Sequence, residues 1–208
     1  CIIISSSLEE NNAMFPWIEF FTYITVTAVT PGPNNILSLS NASHVGFRRA
    51  LPLNFGMWVG FTIITLLSAV FCSAVSAWLP AIELPMKITG ALYMIWLAYR
   101  TAFAKQQEEE VSSPVENSFH MGLSLQFLNP KIILYSIISM EAYILPHYAG
   151  KTVALALFAI LLSTTGFLFS LLWAAFGSLF RALFTRHAKI TNAIMALALV
   201  YCAIALFV

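Results

Sequence analysis

The sequence predicts an all-α, polytopic membrane helical bundle with about six transmembrane helices. Of the 208 residues, 60% are hydrophobic and 9% are charged, against roughly 25% charged residues in an average soluble domain. Such a chain cannot cover an ordinary surface with groups that water solvates, so its outside must face lipid. The apolar residues also fall into windows of about 20 residues, which is the length that one helix needs to cross the hydrocarbon core.

The predicted spans are separated by short breaks that carry the charged residues and prolines. They cover approximately residues 17–40, 52–79, 85–104, 121–145, 152–180 and 189–208. We expect residues 14–208 to form a single transmembrane domain, with a first half at about 14–104, a linker at 105–120 and a second half at about 121–208. Residues 1–13 are expected to be a disordered leader or an extension of the true start.

Lysine and arginine residues are unequally distributed between the two sides that alternate spans define. Lys87 and Lys151 would lie on one side, and the other side would hold Arg48, Arg49, Arg100, Lys105, Arg181, Arg186 and Lys189. Because cytoplasmic loops are enriched in lysine and arginine, the second side is expected to be cytoplasmic. Both termini would then lie outside, on the periplasmic side of a bacterial inner membrane.

A weak internal repeat relates the two halves of the chain. The segment PNNILS at 33–38 and the segment PKIILY at 130–135 are 97 residues apart. When the same offset is added to the residue numbers of the second and third predicted spans, the results fall close to the fifth and sixth predicted spans. Two halves of three spans each must insert with opposite orientation, which is the inverted-repeat plan of many secondary transporters.

The first predicted span is interrupted by Pro31, Gly32 and Pro33, followed by Asn34 and Asn35. Prolines are costly in a membrane helix because each removes a main-chain donor and frees the carbonyl four residues earlier. We therefore expect the helix to break and a second helix to begin at Pro33, which suits the first helical position. Free N–H groups near Asn34 and Asn35 would form a partial positive end. A substrate site is favoured, and a packing kink is the alternative.

The fourth predicted span contains a corresponding break at Asn129, Pro130 and Lys131. A lysine near the bilayer midplane costs about 2.5–3.5 kcal/mol unless it is paired or hydrated. The alternative is that its side chain snorkels to the inner surface. The residues predicted to bind a substrate are therefore Pro31, Gly32, Pro33, Asn34, Asn35, Asn129, Pro130 and Lys131.

Inverted halves would bring the two broken helices together. Both new helix N-termini and the Lys131 ammonium would then converge near the midplane, which suits the carboxylate of an amino acid. The carbonyls freed by the prolines, at Thr27, Val29 and Gln126, would be available to the ammonium group of the same ligand.

Several short motifs resemble those of a known family. P-G-P-N-N at 31–35, G-F-R-R at 46–49 and G-M-W-V-G at 56–60 are similar to the first half of the LysE/RhtB family of amino-acid exporters. N-P-K at 129–131 followed by L-P-H at 145–147 resembles the second-half signature of that family. The cysteine/O-acetylserine exporter branch is the most similar. The resemblance implies a secondary active exporter of small amino acids or close derivatives, coupled to proton entry.

Other classes of protein remain as alternatives: a membrane-embedded enzyme acting on a lipid-linked substrate, a channel, or a scaffold. No carboxylate or histidine cluster falls within a predicted span, which disfavours an enzyme. The sequence contains no phosphate-binding G-x-x-x-x-G-K-[ST] motif, which excludes an ATP-driven pump for this chain. Among ionisable residues, Glu141 is a candidate for the coupled proton.

The expected partners are a small amino acid, protons and the lipid bilayer, and a homodimer is a further candidate. A net charge of +1 disfavours nucleic-acid binding. No metal site and no cofactor are expected. Four of the five tryptophans are expected to face lipid or the interface rather than a substrate; they are Trp58, Trp78, Trp96 and Trp173.

Overall fold

The computed structural model describes residues 14–102, 119–180, 188–205 and 207, and their regular secondary structure is entirely helical. The described α-helices are α1 Trp17–Val29, α2 Pro33–Val45, α3 Phe47–Ala102, α4 Phe119–Phe127, α5 Pro130–Ile138, α6 Leu145–Tyr148, α7 Thr152–Leu179 and α8 Ala188–Ala205. A π-helical turn, Ser139–Ile144, joins α5 to α6. The predicted all-α class is confirmed. The predicted leader, and the predicted linker except for its last two residues, lie outside the described residues.

Two helices in the described part of the chain are long and apolar enough to cross a membrane. They are Phe47–Phe71 within α3 and Thr152–Leu179, which is α7. A third candidate is the bent pair of α4 with Pro130–Tyr148, whose two parts are inclined by 62°. The shorter helices Trp17–Val29 and Ile190–Ile204 are also apolar. The described residues therefore contain two or three candidate spans, fewer than the six predicted.

The bundle is apolar outside and contains polar side chains inside. Large aliphatic side chains are exposed along three of the long helices, for example Val70, Leu172 and Leu197. In contrast, the side chains of Asn54 and Gln126 are completely buried. Lipid solvates aliphatic groups, whereas polar side chains are stabilised by hydrogen bonds between helices. This distribution is the one expected of a membrane protein.

α3 is far longer than a single span. Its 56 residues would extend about 84 Å in a straight helix. However, a Cβ added at Gly60 would lie 2.9 Å from Cγ of Gln126, and one added at Gly90 would lie 2.7 Å from Cδ of Pro130. These glycines would be roughly 45 Å apart on a straight helix, yet their contacts are four residues apart in the chain. α3 is therefore not straight between them, although its backbone remains helical at 79–85, where the sequence predicted a break.

Glycines allow α3 and α4 to approach closely. A Cβ added at Gly60 would lie 2.7 Å from the carbonyl oxygen of Leu123 on α4. Gly56 meets the α4 backbone one turn earlier, and Gly122 of α4 meets the α3 backbone in return. Such small-residue contacts are a usual way for membrane helices to pack. The close approach places the side chain of Gln126 against Gly60, beside the break between α4 and α5.

Candidate functional site

The first predicted helix break is confirmed. α1 ends at Val29 and α2 begins at Pro33. Gly32, the residue before α2, is extended and has no side chain to cap the helix. The first main-chain bond of the new helix runs from the N–H of Ile36 to the carbonyl of Gly32, over 2.9 Å. The N–H groups of Asn34 and Asn35 precede this bond, so α2 begins with an open, partially positive end.

The second predicted break is also confirmed, but its helix end is capped. α4 ends at Phe127 and α5 begins at Pro130. The side-chain oxygen of Asn129 accepts the main-chain N–H of Lys131 over 3.2 Å. The prediction of two open helix ends is therefore wrong for α5. The physical reason is that asparagine supplies its own capping acceptor, whereas Gly32 supplies none.

Most of the main-chain acceptors at the two breaks are already bonded. The hydroxyl of Thr30 donates to the carbonyl of Thr27 over 2.8 Å. The N–H of Asn129 donates to the carbonyl of Gln126 over 3.2 Å. The amide group of Asn35 donates to the carbonyls of Ala28 and Thr30 over 2.9 and 3.0 Å. The expectation of free carbonyls is therefore wrong for Thr27 and Gln126, because local donors replace the missing proline N–H.

A network of three side-chain amides joins the two breaks. Asn34 donates to the side-chain oxygen of Gln126 over 2.8 Å, and Gln126 donates back to Asn34 over 3.2 Å. Asn129 donates to the same Asn34 oxygen over 3.0 Å. Gln126 also donates to the carbonyl of Gly122 over 3.1 Å. Sequence analysis did not select the Gln126 side chain, although an amide in an apolar span four residues before Pro130 was the available signal.

The side chain of Lys131 crosses from the second break to the first. Its Nζ donates to both the carbonyl and the hydroxyl of Thr30, each over 3.0 Å. It passes so close to Gly32 that a Cβ there would lie 2.9 Å from Nζ. An ammonium has three N–H groups, so one remains beyond these two bonds to the described residues. A positive charge thus lies beside the open end of α2.

Asn35 and Asn54 are fixed by bonds to neighbouring helices. The hydroxyl of Ser170 in α7 donates to the side-chain oxygen of Asn35 over 3.1 Å. The hydroxyl of Ser38 donates to the side-chain oxygen of Asn54 over 2.7 Å. Both asparagines are therefore parts of a rigid lining. Asn54 was also missed by sequence analysis, because its burial depends on which face of α3 meets α2.

A cavity of about 40 Å³ lies where the two breaks meet. Its volume is enough for roughly three water molecules. Six of the eight predicted site residues line it: Gly32, Pro33, Asn34, Asn35, Asn129 and Lys131. Apolar and aromatic side chains complete its wall, among them Met57, Phe61, Ile132 and Tyr135. A polar end and an apolar wall are the usual composition of a small-molecule site.

The remaining predicted residues lie elsewhere. Pro31 is exposed, and Glu141 is exposed on the π-helical turn; neither lines the cavity. Pro130 lines a second, smaller cavity of about 10 Å³. Asn34 and Asn129 line both cavities. Pro33 also lines both, so the Asn34–Asn129 hydrogen bond lies where the two cavities adjoin.

The expectation for the tryptophans is wrong for Trp58. Its indole lines the first cavity, stacks on Phe167 with ring centroids 5.4 Å apart, and donates to the hydroxyl of Thr164 over 3.3 Å. Trp96 is 45% exposed, as expected. The side chain of Trp78 lies outside the described residues. Tryptophan occurs both in a cavity wall and at the lipid interface, because its N–H needs a polar partner and its ring does not.

Two broken helices that meet at a cavity with a polar end are an architecture typical of membrane transporters. The LysE type translocator family matches residues 25–208. The chain therefore belongs to the LysE family.

Two relatives illustrate the similarity over nearly the whole chain. The cysteine/O-acetylserine efflux protein of Salmonella paratyphi A is 38% identical over 188 residues, which are 90% of this chain and 95% of the relative. The protein of the same name from Escherichia coli K12 is 37% identical over 189 residues, with the same coverage. No solved structure matches the chain. The family and the names of the relatives indicate a transporter rather than an enzyme.

Proposed function

We propose that this protein is a secondary active exporter of small amino acids, of the cysteine/O-acetylserine type. The names of the relatives suggest the substrate class. The observation that carries the proposal is the Lys131 ammonium beside the open N-terminus of α2, inside a cavity of small volume. Anionic groups bind favourably at such helix ends.

The binding mode follows from the hydrogen-bond capacity left at the first break. The substrate carboxylate accepts bonds from Lys131 and from the N–H groups at the start of α2. The ammonium group is attached to the same carbon atom and therefore binds close by. Its acceptors are the second lone pairs of the Ala28 carbonyl and the Asn35 side-chain oxygen, each of which accepts one bond from the described residues.

The proposal includes six spans arranged as two inverted repeats. Support comes from pairs of contacts that the 97-residue offset exchanges. The offset relates Gly32 to Asn129 and Asn34 to Lys131. Asn129 bonds to Asn34, and Lys131 lies against Gly32, so each contact maps onto the other. The bend of α3 between Gly60 and Gly90 is consistent with two spans in that stretch.

Alternating access requires the amide network to open. The Asn34–Asn129 pair lines both cavities, and breaking it would help to connect the cavities at the cost of one hydrogen bond. Such a bond is worth about 0.5–1.5 kcal/mol net. A barrier of this size is compatible with thermal gating and with transport driven by a gradient.

Export is tested with purified protein in liposomes loaded with labelled O-acetylserine, serine, alanine and leucine. We expect release of the small polar substrates in preference to leucine. Lys131→Ala should abolish release while inserting at the normal level. Normal release by that variant would contradict the binding mode, and release of no amino acid by the wild type would contradict the function.

Proton coupling and orientation are separate parts of the proposal. Imposed proton entry should accelerate release; an unchanged rate would exclude coupling. Glu141 is the candidate proton carrier, so Glu141→Gln should remove the acceleration. Placement in a bacterial inner membrane with both termini periplasmic rests on the lysine and arginine distribution. Alkaline phosphatase fused after Val208 should be active. An inactive phosphatase, together with a fluorescent signal from a fluorescent protein fused at the same end, would place the C-terminus in the cytoplasm and contradict the proposed orientation.

A further inference from the structure

The hydroxyl of Tyr135 is a buried polar group that the proposed binding mode leaves unused. Tyr135 lines the cavity, its side chain is 4% exposed, and Oη has no hydrogen-bond partner among the described residues. The asparagines of the same cavity are bonded within the protein. A buried polar group without a partner costs about 1–3 kcal/mol. A ligand that enters the cavity and bonds to this hydroxyl would remove that cost.

The ring of Tyr135 is held in place on two sides. Tyr23 stacks on it with centroids 5.9 Å apart and planes inclined by 12°. Phe61 meets it edge to face with centroids 5.5 Å apart. These contacts fix the position of the hydroxyl before a ligand arrives. A preorganised group gains affinity, because the ligand does not have to order it.

The position of Tyr135 on α5 suits a contact with the side chain of the substrate rather than with its carboxylate or ammonium group. Tyr135 lies four residues after Lys131, so both are on one face of α5, about one 5.4 Å turn apart. The carboxylate and ammonium share one carbon atom and must both bind at the break. The side chain then extends along α5 towards Tyr135, past the apolar wall formed by Met57, Phe61 and Ile132.

We propose that Tyr135 selects amino acids whose short side chain carries a hydrogen-bonding atom on an apolar stem, such as a hydroxyl, a thiol or an ester carbonyl. The inference rests on the proposed function and adds the residue that sets its substrate class. The phenolic hydroxyl donates to an ester carbonyl and accepts from a hydroxyl or thiol. The apolar wall receives the methylene or acetyl group.

The test compares Tyr135→Phe with Tyr143→Phe in liposomes loaded with O-acetylserine, serine, alanine or 2-aminobutyrate. Tyr143 stacks on the same Tyr23, with centroids 5.5 Å apart, but does not line the cavity. The release ratio of O-acetylserine to 2-aminobutyrate should fall about three- to tenfold in Tyr135→Phe, the worth of one neutral hydrogen bond. It should stay unchanged in Tyr143→Phe.

A thermal measurement separates binding from packing. Without ligand, Tyr135→Phe should melt at or above the wild-type temperature, because the substitution removes an unsatisfied hydroxyl. In the wild type, O-acetylserine should raise the melting temperature more than 2-aminobutyrate does at equal concentration, which tests the preference even if a variant fails to fold.

Two results would overturn the inference. One is an unchanged release ratio of O-acetylserine to 2-aminobutyrate in folded Tyr135→Phe. The other is an equal fall in the release of all four substrates, which would show that the hydroxyl bonds to the carboxylate or ammonium that they share. If the wild type releases and binds none of the four, the proposed function itself fails, and the inference fails with it.

Discussion

Gly32→Ala is a precise perturbation of the site, because the added methyl group meets a side chain and not the backbone. The new Cβ would lie 2.9 Å from Nζ and 3.0 Å from Cδ of Lys131, whereas ordinary contact begins at about 3.4 Å. The ammonium must therefore move by roughly half an ångström or more. Gly32 has an extended φ of −163°, which alanine also adopts, so the backbone is not strained.

The expected loss of substrate affinity is about tenfold. A hydrogen bond to a charged group is worth about 1.5–3 kcal/mol. A partial displacement of Lys131 should reduce the binding free energy of the substrate by an amount near the lower limit of this range. An energy of about 1.4 kcal/mol corresponds to a factor of ten. The assay is the substrate concentration that gives half-maximal release from liposomes, with the fraction of folded protein measured by gel filtration.

A double-mutant cycle on melting temperature supplies the control. In the wild-type background, Gly32→Ala should lower the melting temperature slightly, because the bonds from Lys131 to Thr30 are weakened. In a Lys131→Ala background the same methyl group meets none of these atoms and should have no effect. An equal effect in both backgrounds, or wild-type affinity in folded Gly32→Ala, would refute the placement of Lys131 over Gly32.

Three further predictions concern the site and its support. Lys131→Arg should restore little of the transport lost in Lys131→Ala, because a planar guanidinium does not fit the space over the break; full transport would show that charge alone suffices. Gln126→Leu should lower stability by about 1–3 kcal/mol, measured by thermal unfolding against exposed Ser124→Ala, and equal stability would contradict the amide network. Gly60→Ala should prevent the close approach of α3 and α4 and so lower the yield and the melting temperature of the protein; a normal yield and melting temperature would contradict this packing.

The two helix breaks could be predicted from the sequence because proline acts locally. Pro33 and Pro130 lack the N–H that an uninterrupted helix requires, and each follows a residue suited to a helix N-cap, Gly32 or Asn129. Proline alone is not sufficient, because α3 remains helical through Pro80 and Pro85. The capping difference was also readable, since Asn129 is a strong N-cap residue and Gly32 has no side chain. The prolines alone do not distinguish the two helix starts, so a prediction based on them gives both helices open ends.

The composition of the cavity wall could not be predicted in the same way. Gln126 and Asn54 are buried because α4 meets α3 at Gly60 and α2 meets α3 near Ser38, and these contacts join distant parts of the chain. Trp58 was expected to face lipid or the interface because tryptophans of membrane proteins are enriched near the interface. Hydropathy gives the depth of a residue along a span but not the direction that it faces.

The unequal capping of α2 and α5 has a consequence for the ligand's orientation. Gly32 and Asn129 are separated by the 97-residue offset of the sequence repeat. In the proposed inverted-repeat arrangement, identical residues there would create two anion sites related by a pseudo-two-fold axis, one for each half. The asparagine side chain caps the N-terminus of α5, whereas the glycine leaves the N-terminus of α2 uncapped. In the proposed binding mode, a molecule with one carboxylate therefore has a single way to bind, and its side chain has a single direction in which to extend. Selection by the cavity wall depends on that loss of symmetry, because a ligand free to reverse would present its side chain to two different surfaces.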